Sequence, residues 1–309
     1  MFSVREVVTS RGTLEYRKEH LTGIRCRISP DRVKRQIDQT TFIPLPEKGC
    51  PFCRDEVFSV TPTFPNGERI IRGESVTFPN LFPFGEGHIV TVITREHVVP
   101  SFSRPQIEDA LRAQVEALRQ ADGYASINWN FLSSAGASLV HPHMQGLSDS
   151  FPSHIVDCYI RAGEQFRRDR GRNYWEAVVE EEKSSDRYLF GDEIPWSAHA
   201  VPVGEREVRG FFPISTIDEM ENYVDLAASG ILEIISLYRR LGTYAFNMSI
   251  FFDRCGCDHG FRAFCSMISR INPNPSSTSD SAFMERLHLE PVIMTRPEDL
   301  GKFYQKEKK

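Results

Sequence analysis

Two stretches of this chain follow one plan. Residues 124–132 read Y-A-S-I-N-W-N-F-L and residues 243–252 read T-Y-A-F-N-M-S-I-F-F. Each reads as a strand behind a helix pattern. Over residues 104–121, Ile107, Leu111, Val115 and Leu118 recur at helical spacing, and Pro105 suits a first turn. The run from Ile217 to Gly242 reads as a second long amphipathic helix. Strand patterns precede both helices: residues 69–84 and 88–94 in the first half, H-A-V-P-V and V-R-G-F-F-P-I in the second. The offset of about 120 residues is too long for a solenoid repeat and suits a duplicated domain. The expected class is α+β, in two halves over 1–182 and 183–309. At the end of the first half, residues 155–182 read as charged helix broken at Gly171. At the start, T-L-E-Y-R and I-R-C-R-I-S look like strands, and V-K-R-Q-I-D-Q is compatible with a short helix.

The chemistry concentrates behind the first repeat, in N-F-L-S-S-A-G-A-S-L-V-H-P-H-M-Q-G over residues 130–146. His141, His143 and Gln145 fall at every second position. On a strand they would share one face. Pro142 gives up a backbone donor, so the segment reads as an edge or a strand end. Ser133, Ser134, Gly136 and Ser138 form a small-residue loop whose N–H groups and hydroxyls can approach an anion. An H-x-H pair alone is often just strand surface. The intervening Pro, the Gln and the loop in front argue for a site.

Upstream, Cys50-Pro51-Phe52-Cys53 presents two thiols from one turn, a geometry zinc accepts. The same spacing also serves redox or inert thiols. Two further ligands would come from among His88, His97, His141 and His143. A second cluster, Cys255, Cys257, Asp258, His259 and then Cys265, reads either as a second metal site or as a Cys-rich hairpin tip beside a buried Cys, and its C-x-C-x-H spacing is poor for a tetrahedral ion.

A net charge of −5 leaves no basic footprint, so nucleic acid is not an expected partner. No apolar run approaches a membrane span, and the start lacks a signal-peptide core. Seven cysteines, an odd number that includes a C-x-x-C, favour metal or free thiols over a disulfide framework. The expectation is a cytoplasmic protein without membrane contact, and a homodimer is compatible with it.

The segment S-A-G-A-S-L-V-H-P-H-M-Q resembles the active-site signature of the galactose-1-phosphate uridylyltransferase family, the nucleotidyltransferase branch of the histidine-triad superfamily. The resemblance implies two histidine-triad-like halves, each an antiparallel sheet with a helix across it. It implies His143 as a nucleophile toward the α-phosphorus of a nucleoside diphosphate sugar, and Gln145 as a hydrogen-bond donor to the covalent nucleotidyl group. It also implies a closed zinc site of Cys50, Cys53, His97 and His141. Asn130, with Ser133, Ser134, Gly136 and Ser138, would bind ribose or phosphate. The acceptor would be a sugar phosphate, as in galactose metabolism, or inorganic phosphate. F-R-A-F-C-S-M-I-S over residues 261–269 falls where the H-P-H-M-Q strand would recur. It carries no His, so the second half is expected to be catalytically empty. A phosphorylase or hydrolase of nucleoside diphosphate compounds, or a non-catalytic nucleotide-binding protein, are the rival readings.

Overall fold

A computed structural model describes the chain apart from residues 11, 35–48, 55, 98, 272–278 and 309. In order, β1 (Phe2–Thr9), β2 (Gly12–Glu19) and β3 (Arg25–Ile28) precede α1 (Glu56–Val60). The first half continues with β4 (Ile70–Arg72), β5 (Ser75–Pro79), β6 (Gly87–Val92), α2 (Arg104–Leu118), β7 (Tyr124–Phe131) and β8 (His143–Asp149). Two helices follow, α3 (His154–Arg170) and α4 (Tyr174–Lys183). The second half runs β9 (Tyr188–Phe190), β10 (Trp196–Ala198), β11 (Val208–Phe211), α5 (Val224–Arg240), β12 (Ala245–Phe251) and β13 (Phe264–Arg270). Then come β14 (Val292–Ile293) and α6 (Pro297–Glu307).

Local chemistry accounts for the main boundaries. Helix α2 opens on a capping box between Ser103 and Gln106, with Pro105 in its first turn. Gly171 ends α3 in the left-handed region at φ +66°, the break expected from its sequence. The predicted second amphipathic helix begins as a 3-10 turn over Ile217–Tyr223 before α5 takes over. Strand β9 is an added short strand over Tyr188–Phe190, and β10 covers Trp196–Ala198, so the H-A-V-P-V read as a strand from the sequence lies just beyond it, outside any strand. Of V-K-R-Q-I-D-Q, only the start lies in a described 3-10 turn, and the rest falls outside the described residues.

The two halves contribute five strands each to one sheet, in the order β4-β5-β6-β8-β7-β12-β13-β11-β10-β9. They meet at an antiparallel seam where Asn130 stands opposite Asn247 and Asn128 opposite Ser249. Helices α2 and α5 lie over one face. They bury Ile127, Trp129, Phe131 and Met144 beside Phe246, Met248 and Ile250. The period of two then forces Asn128, Asn130, Asn247 and Ser249 onto the opposite face. This parity makes the offset between the two repeats odd, so the matching Tyr-Ala pairs do not occupy equivalent positions.

On that opposite face the halves are covered differently. Over the second half, α3 and α4 bury Tyr159, Trp175, Phe211, Phe261 and Phe264 together. Buried Arg209 lies over the rings of Tyr159 and Phe264 and pairs with Glu207 at 2.7 Å. A separate sheet, β1-β2-β3-β14, carries Glu15 and Arg17 to an ionic cluster with Glu298 of α6. Over the first half, Phe52 and Val57 cover Val76, Phe78, Val90 and Val92 of β5 and β6. The polar stripe along β8, β7 and β12 stays half-exposed between these covers.

Candidate metal centre and nucleotide site

The C-P-F-C turn is a tight knuckle entered through Gly49 at φ +85°, and the Cys53 N–H donates to the Cys50 carbonyl. Arg54 N–H donates to the Arg95 carbonyl, which ties the knuckle to the loop after β6. That loop carries His97. His141 approaches from the residues just before β8. The ligand atoms of Cys50, Cys53, His97 and His141 lie within 4.8 Å of one another. The Nδ1 of His141 is 3.6 Å from Cys50 Sγ and 3.5 Å from Cys53 Sγ, and the Nδ1 of His97 is 3.4 Å from Cys53 Sγ. Zinc–sulfur and zinc–nitrogen bonds at a tetrahedral angle give a sulfur–nitrogen edge of about 3.6 Å. The donor set therefore fits a tetrahedral ion. His141 Nε2–H donates to the Thr94 carbonyl at 2.7 Å, which leaves its Nδ1 lone pair facing the thiols. Burial and the neighbouring Cys50 push the Cys53 thiol up to about 12, a shift that a bound cation would oppose by favouring the thiolate. His88, weighed as a ligand from the sequence, is not part of this group.

The H-x-H pair does not behave as two neighbours on one strand. His141 lies before β8 with its ring toward the cysteines, while His143 opens the strand. His143 and Gln145 then share the open face. The Nδ1–H of His143 donates to the His141 carbonyl at 2.8 Å. This fixes the tautomer and leaves Nε2 as the free lone pair. Burial holds the His143 imidazole below its ordinary pKa, against the smaller raising effect of that carbonyl, so the ring is neutral at neutral pH. Phe52 sets its edge against the ring at 5.3 Å between centroids.

Gly146 explains how β8 is placed. A Cβ there would run into Gln114 Oε1 of α2 and the Ile89 side chain of β6. Close approach of helix and strand thus requires this glycine, and it presents His143 and Gln145 outward.

The small-residue loop caps the end of β7. Leu132 adopts φ 73°, ψ 165°, a region that essentially only glycine occupies freely. The N–H groups of Ala135, Gly136 and Ala137 fold back onto the carbonyls of Leu132 and Ser133, so they are not the anion donors expected of this loop. Ser133 and Ser138 are exposed and Ser134 half-exposed beside the stripe. Asn130 accepts from Asn247 Nδ2 at 2.6 Å, and the same amide nitrogen reaches the Ala135 carbonyl at 2.7 Å. Arg270 Nη1 donates to Asn247 Oδ1 at 2.7 Å, and Ser249 donates to Asn128 Oδ1 at 2.8 Å. Sequence reasoning missed Asn128, Asn247, Ser249 and Arg270. The available signal was an amide-bearing polar face on both repeated strands. Cys255 and Cys257 do not converge on a metal geometry, and His259 instead pairs with buried Asp253 at 2.9 Å.

This fold recurs in solved structures. An ADP-glucose phosphorylase from Arabidopsis thaliana with bound ADP-glucose is similar over 95% of this chain and 98% of its own, with a TM-score of 0.75 at 18% identity. A uridylyltransferase matches over 94% of this chain and 97% of its own, with a TM-score of 0.70 at 18% identity. A galt-like protein from Arabidopsis thaliana gives a TM-score of 0.73 at 15% identity, over 95% and 98% of the two chains. The chain thus shares its fold with these solved proteins, a mixed α+β architecture of two antiparallel halves with a crossing helix each. No protein-family model matches the chain. An uncharacterized protein of Archaeoglobus fulgidus is 30% identical over 270 residues, 82% of this chain and 79% of that protein, and the chain belongs to the same family as this archaeal protein. Among the described residues, no helix is long and apolar enough to cross a membrane.

Proposed function

We propose that this protein is a zinc-containing nucleotidyltransferase that moves a nucleoside monophosphate from a nucleoside diphosphate sugar to a phosphate-bearing acceptor through a covalent intermediate on His143. The observation that carries the reading is the His143 hydrogen bond to the His141 carbonyl. It leaves a neutral Nε2 lone pair on the same face as the Gln145 amide. In the first step Nε2 bonds to the α-phosphorus, the bond to the leaving sugar phosphate breaks, and its electron pair departs on that oxygen. The imidazolium so formed keeps Nδ1–H on the His141 carbonyl, which opposes its positive charge. In the second step an acceptor oxygen bonds to phosphorus and the P–N pair returns to Nε2. Gln145 supports the reading as a donor to the phosphoryl oxygens. We assign ribose or phosphate binding to Asn130 and the hydroxyls of Ser133, Ser134 and Ser138, with Gly136 shaping the turn between the serines rather than donating to the ligand. Zinc held by Cys50, Cys53, His97 and His141 would fill all four positions and serve structure by pinning the start of β8. A sugar phosphate acceptor makes the enzyme a transferase of the uridylyltransferase kind. Inorganic phosphate would make it a phosphorylase on the same residues.

The test is intact mass after brief incubation with a panel of nucleoside diphosphate sugars and no acceptor. A nucleotidyl adduct, absent from His143→Gly, is expected, and its mass names the base. Adding a sugar phosphate or inorganic phosphate should then discharge it and identify the acceptor. Saturable donor binding without an adduct would instead establish a nucleotide-binding protein.

A further inference from the structure

His88 on β6 is not a metal ligand, yet it is almost completely buried on the face that carries Gln145. Three groups meet its ring. The backbone N–H of Phe84 points at Nδ1 from 3.3 Å. The Oε1 of Gln145 lies 2.9 Å from Nε2, and the Nδ2 of Asn80 lies 3.0 Å from the same atom. The Phe84 ring packs against the imidazole at 4.2 Å between centroids. The Phe84 N–H is fixed by the backbone, and the Asn80 amide is held by the Phe82 N–H, which donates to its Oδ1 at 2.9 Å, so Asn80 offers Nε2 no acceptor and its Nδ2 stands beside that atom as an unmatched donor once Nε2 is protonated. The Phe84 donor therefore requires an unprotonated Nδ1, and the single proton of a neutral ring belongs to Nε2. Burial favours that neutral ring by lowering the His88 pKa. Nε2–H then has one acceptor within reach, the Oε1 of Gln145.

We infer that His88 is a positioning residue for nucleotidyl transfer: it captures the oxygen of the Gln145 amide and so turns the amide N–H groups toward the phosphoryl group. An unconstrained glutamine presents oxygen or nitrogen with similar ease, and an oxygen facing an anionic phosphoryl group repels it. One hydrogen bond from His88 removes that ambiguity before substrate arrives, which is preorganisation of a donor. The Phe84 N–H, in the turn that leads from β5 into β6, sets the tautomer and thus the direction in which Gln145 faces.

This inference rests on the proposed role of Gln145, and its test separates the two. Single-turnover adduct formation would be followed in wild type, His88→Phe, His88→Gln, Gln145→Ala and the double variant His88→Phe/Gln145→Ala. Adduct in wild type and a slowed Gln145→Ala support the underlying reading independently of His88. His88→Phe keeps a ring against Phe84 but has no donor, and it should slow adduct formation by about 10- to 100-fold, less than outright loss of an oxyanion donor. His88→Gln retains an N–H donor and should recover most of the rate. In the Gln145→Ala background, His88→Phe should cost nothing further, because its effect passes through the amide. A His88→Phe variant as fast as wild type, or a double variant slowed by the product of the single effects, would overturn the inference while leaving the adduct chemistry standing. Long-range nitrogen–proton NMR correlation reads the geometry without turnover. It should show a neutral His88 ring with its proton on Nε2, and an Nδ1–H ring would defeat the inference even if no donor forms an adduct.

Discussion

Replacing Gly146 with Ala tests whether the packing of α2 on β8 sets the site. The added Cβ would lie 2.7 Å from Ile89 Cγ1 and 2.9 Å from Ile89 Cδ1, besides its contact with Gln114 Oε1. Real Cβ atoms do not come that close, so something must shift. Ile89 is paired directly with Gly146 across β6 and β8 and is buried. Gln114 is fully buried and held by Nε2, which donates to Thr91 Oγ1 at 2.7 Å. Neither neighbour has free space, and overpacking of this kind costs about 1–3 kcal/mol. Unfolding entropy near 2.1 cal/mol/K per residue gives about 0.65 kcal/mol/K for this chain, so a cost of about 2 kcal/mol lowers Tm by about 3 °C. Differential scanning calorimetry would measure it. The relief variant is Gln114→Ala. Alone it should destabilise, because it empties a buried space and removes the Thr91 donor. Combined with Gly146→Ala, it should give a double variant about 1 kcal/mol more stable than the sum of the two. Adduct formation at His143 should fall in Gly146→Ala and recover in part in the double variant. A Tm within 1 °C or so of wild type for Gly146→Ala, or strictly additive losses, would show that β8 is not clamped in this way.

Cys50→Ser should lower both bound zinc and Tm, whereas His143→Gly should keep both, because the first removes a proposed ligand and the second only the proposed nucleophile. Metal analysis beside melting curves decides this, and zinc lost from His143→Gly would contradict the separation. Leu132→Gly should be more stable than Leu132→Ala by about 1–2 kcal/mol, the reverse of the usual order, since only glycine is unstrained at φ 73°, ψ 165°. Urea unfolding of the pair reads the sign directly. Burial would raise the Glu298 pKa, but hydrogen bonds and charge from Arg17 and charge from Arg187 outweigh it and hold the carboxyl below 4.5. Its stabilising contribution is therefore complete above the unfolded value of 4.5 and fades as pH falls through the lower folded one. Glu298→Gln should flatten that part of the Tm–pH curve, and a curve as steep as wild type would remove Glu298 from the acid response.

What the sequence made legible was local. Helix α2 announces itself through Pro105 and its apolar spacing, Gly171 marks the break between α3 and α4, and C-P-F-C presents its two thiols from a single turn. The four-residue cluster at the knuckle also matches the set that the family resemblance implied. The losses were non-local. The two residues of β14 are legible only once β3 lies beside them, 265 positions away from Arg27 to Val292. The Asn–Asn pairing at the seam depends on a strand register that one sequence does not display, so Asn247 and Arg270 went unnoticed. His88 was considered only as a ligand, because its partners come from a turn and from a neighbouring strand. The small-residue loop looked like a ring of free N–H donors, but three of those donors close its own turns.

The seam between β7 and β12 also constrains how the protein is made. When β7 leaves the ribosome, β8 can soon cover one of its edges, but β12 is still unwritten. About 120 further residues must be added first, some 6–24 s at ordinary elongation rates. During that interval the inner edge of β7 shows unpaired backbone groups, with Trp129 and Phe131 lacking the cover that Phe246 later provides. The nascent first half therefore holds a sticky strand open for its own second half, and a chain stalled between residues 150 and 240 would offer that strand to its neighbours.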